Sequence, residues 1–359
     1  MPVVFAHRSP LRSLALTLLS GLCLVVFSCK KTANPAIPYQ TIEGEAQGSY
    51  YRITYADSAG RDFTPQVEQL LDDMNAEVST YLDSSVITRF NTAPGTDFTL
   101  SAKARYFLDN YLKSREVFRE SAEAFDPTVM PLVSYWGFGA KPKQISTVDS
   151  LKVDSLLRYV GLTRIMMLPQ GRDSVILRKE LPGVQLDFNA IAQGYTVDEV
   201  GRLLEANGVV HYLVDIGGEV LAKGVNPRGK DWTIGINTPR EDGQTEEIFA
   251  TVPLRNRALA TSGNYRKFYE VDGVKYSHTI NPQTGYPERN ALLSASVFAP
   301  DAMSADAYAT ACMVLGPQNG MAMIERLENL EAYFIIGKPD GSMGVQYSNG
   351  LKSLFDQKK

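Results

Sequence analysis

An α+β fold is expected, with a mainly antiparallel sheet and helices inserted between and packed against its strands. Three observations predict it. Segments of strand character and segments of helical spacing interleave along the chain without a break in composition. The clearest hairpin signal, Asp272-Gly273, sits inside an alternating stretch, the mark of antiparallel neighbours. No G-x-G-x-x-G follows a strand, so the doubly wound dinucleotide fold lacks its fingerprint. The 359 residues are 44% hydrophobic and 21% charged, enough to bury a sizeable core.

The opening segment reads as an address rather than as fold. His7, Arg8 and Arg12 precede an apolar run over 14–27, shorter than the ~20 residues of a spanning helix. It ends in Val26-Phe27-Ser28-Cys29, similar to a bacterial lipobox, which places cleavage after residue 28 and a lipid on Cys29. The alternative is a plain secretory signal with an incidental cysteine. Residues 31–38 (KTANPAIP) read as a tether.

The elements follow in order. Residues 50–55 alternate as a strand. Residues 65–81 carry Val67, Leu70, Leu71, Met74 and Val78 at helical spacing, with Thr64 as N-cap and Pro65 at the first position. Ala104, Phe107, Leu108, Tyr111 and Phe118 mark a second helix. The stretch AFDPTVMPLVSYWGF at 124–138 holds two prolines and reads as a constrained loop able to wall a flat ring, or simply to cover the core. Val197, Val200, Leu203 and Leu204 mark a third helix, stopped near Gly208; Ala305, Ala309, Cys312 and Met313 mark a fourth, stopped by Gly316-Pro317. Strands are expected at 212–216, 232–236, 249–254, 293–298 and 332–336. In the hairpin over 265–279, Val271 should face Val274, Tyr269 face Tyr276 and Lys267 face His278, bringing a loop at 261–264 to the same end as His278 and 281–285.

Composition excludes several classes. Thirty-six basic and 40 acidic residues give a net charge of −4, with no basic excess for nucleic acid. Three scattered cysteines exclude a disulfide scaffold, and three histidines, one of them in the leader, argue against a histidine-rich metal centre. Phosphate-loop, zinc-protease and nucleophile-elbow motifs are absent. Any metal would take oxygen ligands, as magnesium or calcium does.

Several constellations remain. In DAMSADAYATACMVLG at 301–316, Asp306 and Thr310 stand one helical turn apart and can offer a carboxylate and a hydroxyl to one magnesium; the bland reading is a helical aspartate and a packed threonine. DFNAIAQGYTVD at 187–198 is a polar strand-to-helix corner with free backbone groups, or an ordinary turn with Gly194 for close packing. Gly217-Gly218 and Ser262-Gly263 follow strands and could turn backbone donors toward phosphate. His278 has the chemistry of a general base near neutral pH, or of a half-buried strand histidine, while His211 reads as structural.

Taken together, these segments resemble the ApbE family of FAD:protein FMN transferases, from GSYYRI at 48–53 through MNAEVSTYLDSSVITRFN, FDPTVMPLVSYWGF, LDFNAIAQGYTVD, VDIGGEV, ATSGNYR and SHTINPQTG to DAMSADAYAT at 301–310. The resemblance implies one large T-fold-like domain over 47–359, preceded by a signal at 1–28 and by the lipidated cysteine and tether at 29–46. It implies magnesium-dependent transfer of FMN from FAD to a threonine hydroxyl of a target protein, with release of AMP. Asp306, Thr310 and the carbonyl of Ala190 then match the magnesium ligands. Gln47, Tyr81, Ala124, Phe125, Asp126, Asp187, Gln193, Gly217, Gly218, Ser262, Gly263 and Ile280 match positions around FAD, and His278 matches the histidine of transfer. The chain departs from the family pattern at Gln47-Gly48-Ser49, where Met-Gly-Thr is usual, at Asn189-Ala190 in place of Gly-Gly, and at Gln193 in place of lysine. The implied acceptors are threonine-bearing subunits of membrane redox complexes, met at the periplasmic face of the inner membrane. FAD hydrolysis to FMN and AMP, or FAD binding without turnover, are the alternatives.

Overall fold

The computed structural model describes residues 37–140, 145–240, 247–264, 268–271 and 274–355. Cys29 and the leader lie outside them, as do Lys267, Asp272 and Gly273. The strands run β1 (Tyr39–Ala46), β2 (Ser49–Ala56), β3 (Asp97–Ser101), β4 (Ile165–Gln170), β5 (Ser174–Lys179), β6 (Tyr212–Ile216), β7 (Glu219–Lys223), β8 (Trp232–Asn237), β9 (Ile248–Leu254), β10 (Arg257–Gly263), β11 (Phe268–Val271), β12 (Val274–Ser277), β13 (Leu292–Ala299), β14 (Glu331–Gly337) and β15 (Met343–Tyr347). Between them lie α1 (Thr64–Val78), α2 (Val86–Thr92), α3 (Arg105–Glu120), α4 (Met130–Trp136), α5 (Ser150–Leu157), α6 (Ala192–Ala206), α7 (Ala302–Arg326) and α8 (Lys352–Phe355).

An eight-stranded sheet in the order β1-β2-β6-β7-β10-β13-β14-β15 organises the molecule, and each of its pairings is antiparallel. Side chains alternate between its faces, as the pleat requires. Ala258, Ala260, Ala295, Val297, Ala299, Ala332 and Phe334 point to the main core beneath the helices. Their neighbours Leu259, Phe298, Tyr333 and Ile335 point the other way, into a second core closed by Trp232, Ile236, Val252 and Leu254 of the β8–β9 ribbon. Both faces of the central strands are thus buried, which is why those strands carry short apolar runs. A small sheet, β3-β5-β4, flanks the helices. A third cluster, around Leu132, Trp136, Val153, Val160 and Ile280, stands apart from the first two.

Local expectations are met or corrected for identifiable reasons. The paired residues of β11 and β12 are Tyr269 with Tyr276 and Val271 with Val274, the register a two-residue turn imposes. Domain start is earlier than residue 47: residues 39–46, expected as tether, form β1, held along its length by β2. Thr64 does not cap α1. Its N–H and hydroxyl are both taken by Asp62 Oδ1, at 2.9 and 2.7 Å, and Phe63 occupies the cap position. The prolines at 127 and 131 do not prevent helix. Each sits in a first turn, where a missing N–H costs nothing, so a short 3-10 turn at Pro127–Val129 leads into α4. Residues 261–263 are not loop but the end of β10, paired with Ser294, Ala295 and Ser296. At Gly316 (φ 73°, ψ 178°) α7 breaks, and Pro317 opens a second helical stretch in place of a stop.

The site is positioned by α6 and α7, which cross on the main-core face of the sheet. The first part of α7 buries Ala302, Ala305, Ala307, Ala309 and Ala311, so methyl groups let it lie close over β10 and β13. Where it meets α6, the contact is closer still. A Cβ built on Gly194 would stand 2.2 Å from the Ala302 carbonyl oxygen and 2.8 Å from the Asp306 Cβ. Neither obstacle is a flexible chain end. Gly194→Ala is therefore expected to force the helices apart at a cost of about 1–3 kcal/mol, the usual range for overpacking. A urea titration should show a lower midpoint at unchanged slope.

Candidate functional site

At the strand-to-helix corner, a first-turn N–H of α6 finds its partner on another helix. Because α6 begins at Ala192, the Gly194 N–H is one of the first-turn donors that the helix itself leaves unpaired. Here it donates to Asp306 Oδ2 at 3.1 Å. That bond ties the Asp306 carboxylate to the start of α6. Asp306 is buried, and burial pushes its carboxyl well above the ordinary range, the Gly194 hydrogen bond offsetting only part of the effect. One turn on, Thr310 Oγ1 lies 3.1 Å from Ser262 Oγ at the end of β10. Carboxylate, hydroxyl and carbonyl are hard oxygen donors, and a carboxylate buried with so little hydrogen bonding is stabilised as the anion by a cation. The set fits magnesium, which binds few carboxylates and keeps several waters. Among the described residues no group of three or more histidine, cysteine or acidic side chains gathers as a metal cluster.

Around this corner lie the two glutamines at the departures from the family pattern. Gln193 donates from Nε2 to the Ile216 carbonyl at 3.0 Å. Gln47 sits at φ 49° in the β1–β2 turn and donates from Nε2 to Thr196 Oγ1 at 2.8 Å, while its Oε1 is buried without a hydrogen-bond partner. The Gly217-Gly218 turn does not aim free donors outward. Gly217 donates to the Tyr50 carbonyl at 3.0 Å and Gly218 to Asp215 Oδ1 at 3.1 Å. Glycine is needed there for conformation and space: φ is 62° and 106°, and a Cβ on Gly217 would stand 2.0 Å from Gln193 Nε2.

A second group brings Asp126 and Asp187 together. Asp187 donates its backbone N–H to the Pro127 carbonyl at 2.7 Å, and its Oδ1 accepts from Asn189 N at 2.8 Å. Asp126 Oδ1 accepts from the N–H and hydroxyl of Thr128 at 2.8 and 2.6 Å. Burial raises both carboxyl pKa values, that of Asp126 to about 6. Ala124 and Phe125 are buried beside them. Tyr81 is 61% exposed on the turn after α1, and its phenol is raised by partial desolvation and then by the Asp187 carboxylate. The approach to this group is strained: Ala122 and Glu123, neither a glycine, hold φ of 51° and 68°.

His278 belongs to a third group. It is half-buried after β12, with the Phe138 ring edge-on at 6.4 Å between centroids. The following loop is closed by Asn281, whose Oδ1 accepts from Gln283 N and Thr284 N at 2.9 and 3.3 Å. Trp136 stacks on Tyr276 at 5.0 Å and donates to the Gly285 carbonyl at 2.8 Å, and Gln283 Nε2 reaches the Ala122 carbonyl at 3.3 Å. The histidine loop is thereby tied to the strained approach to Asp126. Ile280 is packed in the third apolar cluster and bridged to Pro287, so only its backbone is available to a ligand. His211 is structural, as expected: its Nδ1 accepts from Val225 N at 3.3 Å.

Sequence reasoning passed over three participants. Asp198 binds the start of α7 and was legible, four residues after Gly194 on the same helix face. Thr128, two residues after Asp126, carries the Asp-x-Thr spacing of a local cap. The left-handed pair Ala122-Glu123 leaves no signal, because such a conformation is read from glycine or asparagine.

The ApbE family model matches residues 47–334. A Haemophilus influenzae protein named FAD:protein FMN transferase is 33% identical over 346 residues, covering 94% of this chain and 97% of its own length. One of the same name from Klebsiella pneumoniae is 32% identical, covering 90% and 92%. Among solved structures, the apo form of the Pseudomonas stutzeri flavinyl transferase ApbE superposes with a TM-score of 0.78 at 31% identity, covering 89% of this chain and 97% of that one. A match across most of the chain, agreeing in sequence and in fold, means that this protein belongs to the ApbE family.

Proposed function

We propose that this protein is an FAD:protein FMN transferase that uses magnesium to move FMN from FAD onto a threonine hydroxyl of an acceptor protein, releasing AMP. The observation that carries the reading is the hydrogen bond from Gly194 to Asp306, which ties a buried carboxylate to the start of α6, one turn from a threonine hydroxyl held by Ser262. Asp306, Thr310 and the Ala190 carbonyl would hold the magnesium. When bound, that ion supplies charge neutralisation at the phosphoryl oxygens of the dinucleotide.

The chain's own groups do the rest. His278 takes the proton of the acceptor hydroxyl as its oxygen bonds the FMN-side phosphorus, a role typically worth ~10²–10⁴-fold. The bond from that phosphorus to the AMP oxygen breaks, and AMP leaves with the electron pair. Ser262 orients Thr310 through their shared hydrogen bond. Asp126, Asp187, Phe125 and Tyr81 form the wall against which the flavin end is held. Gln193, anchored to Ile216, presents an amide where the family pattern has a cation, so its contact with the dinucleotide is a neutral one. Cys29 carries a lipid that tethers the enzyme to the periplasmic face of the inner membrane, beside membrane redox subunits as acceptors.

Incubation with FAD, magnesium and a threonine-bearing acceptor should give a flavin-fluorescent acceptor band on a denaturing gel; free FMN with no labelled band would overturn transfer. Asp306→Ala should abolish the band and AMP release with the fold intact by circular dichroism. His278→Ala should slow labelling by ~10²-fold or more while FAD affinity changes little, and equal loss of both would make it a binding residue. Cys29→Ser should move the protein from the membrane to the soluble fraction of cells, and unchanged membrane retention would refute the anchor.

A further inference from the structure

The first turn of α7 exposes N–H groups that no residue of the helix can satisfy through its backbone. Its own N-cap, Asp301, accepts from Ser304 N at 2.7 Å. The two remaining donors point at another helix: Ala302 N and Met303 N donate to Oδ1 and Oδ2 of Asp198, at 2.8 and 2.9 Å. Asp198 is buried on α6, one turn beyond Gly194.

We propose that Asp198 is a positioning residue for Asp306, fixing α7 in the register that delivers that carboxylate to the Gly194 N–H. This rests on the magnesium reading above. Gly194 and Asp198 are one turn apart on α6, and Ala302 and Asp306 are one turn apart on α7. The contacts cross over: Asp198 grips the residue one turn before Asp306, and Gly194 grips Asp306 itself. One contact would leave α7 free to rotate or slide about it; two fix both. Magnesium is exacting about this, taking ligands at about 2.0–2.1 Å in near-octahedral geometry. Asp301 already caps the helix, so a second carboxylate is not needed for the helix to form. Burying a charge is also a poor way to gain stability alone. Both points assign Asp198 to placement.

The test is calorimetric titration of magnesium alone into the whole chain, alongside the magnesium concentration that half-saturates transfer. Asp198→Ala and the near-isosteric Asp198→Asn should each weaken magnesium binding tenfold or more and raise the half-saturating concentration to match, with excess magnesium restoring the rate. Val252→Ala, in the core on the opposite face of the sheet, should lower thermal stability and leave magnesium affinity unchanged. Should Asp198→Ala not fold, Asp198→Asn carries the test. Wild-type affinity in a folded Asp198 variant, or an equal loss in Val252→Ala, overturns the proposal. Absence of magnesium binding to the wild-type chain would instead overturn the reading on which it stands.

Discussion

One close approach governs the rest of the structure: the crossing of α6 and α7 at Gly194, where a single methyl group would collide with backbone. Contact at that distance lets a main-chain N–H of one helix reach a side-chain carboxylate of the other. The same bond satisfies a first-turn donor that α6 itself leaves unpaired. One steric condition thus fixes the start of α6 and the Asp306 carboxylate together. The alanine face of α7 and the sheet beneath it serve that condition, since a larger residue at 305, 309 or 311 would lift the helix from its seat.

The polar groups of the site sit in surroundings that resist charge. Asp126 is pushed up to about 6 and Asp198 to about 7, in each case mainly by burial and against the pull of the hydrogen bonds they accept. Asp187 and Asp306 shift in the same direction for the same reason. Four buried carboxyls within one domain carry a standing cost, which the large apolar layers on both sides of the sheet offset. A ligand that brings positive charge or strong donors to such groups binds where solvent has been removed.

Much of this was legible from the residues, and the exceptions share a cause. The strand at 212–216 and the pairing of Tyr269 with Tyr276 follow from alternation and turn length, which are local. Asp306 and Thr310 were placed together because four residues make a helical turn. What was misread depended on partners far away in sequence. Ser262-Gly263 looked like a loop until β13 paired with it. Gly217-Gly218 looked like a phosphate cradle, yet its donors are spent on Tyr50 and Asp215, and the missing side chain of Gly217 makes room for Gln193. Residues 39–46 fell to the tether only because the family resemblance begins at residue 47; they form a half-exposed strand at the edge of the sheet, paired with β2. Thr64 lost its cap to an aspartate two residues earlier, a competition between neighbours that propensity does not rank.

The break at Gly316 divides α7 into two lengths with different obligations. The part before it carries Asp306 and Thr310 and is fastened at its start; the part after it opens at its own proline and leads away toward β14. The two lengths fold back on each other at the joint: Cys312 Sγ meets the Gly320 carbonyl at 3.9 Å, and a Cβ on Gly320 would stand 3.3 Å from Cys312 Cα. Bulk added at Gly320 would therefore press on the turn just past Thr310, so the trailing length acts as a wedge seated against the segment that carries the carboxylate and the hydroxyl.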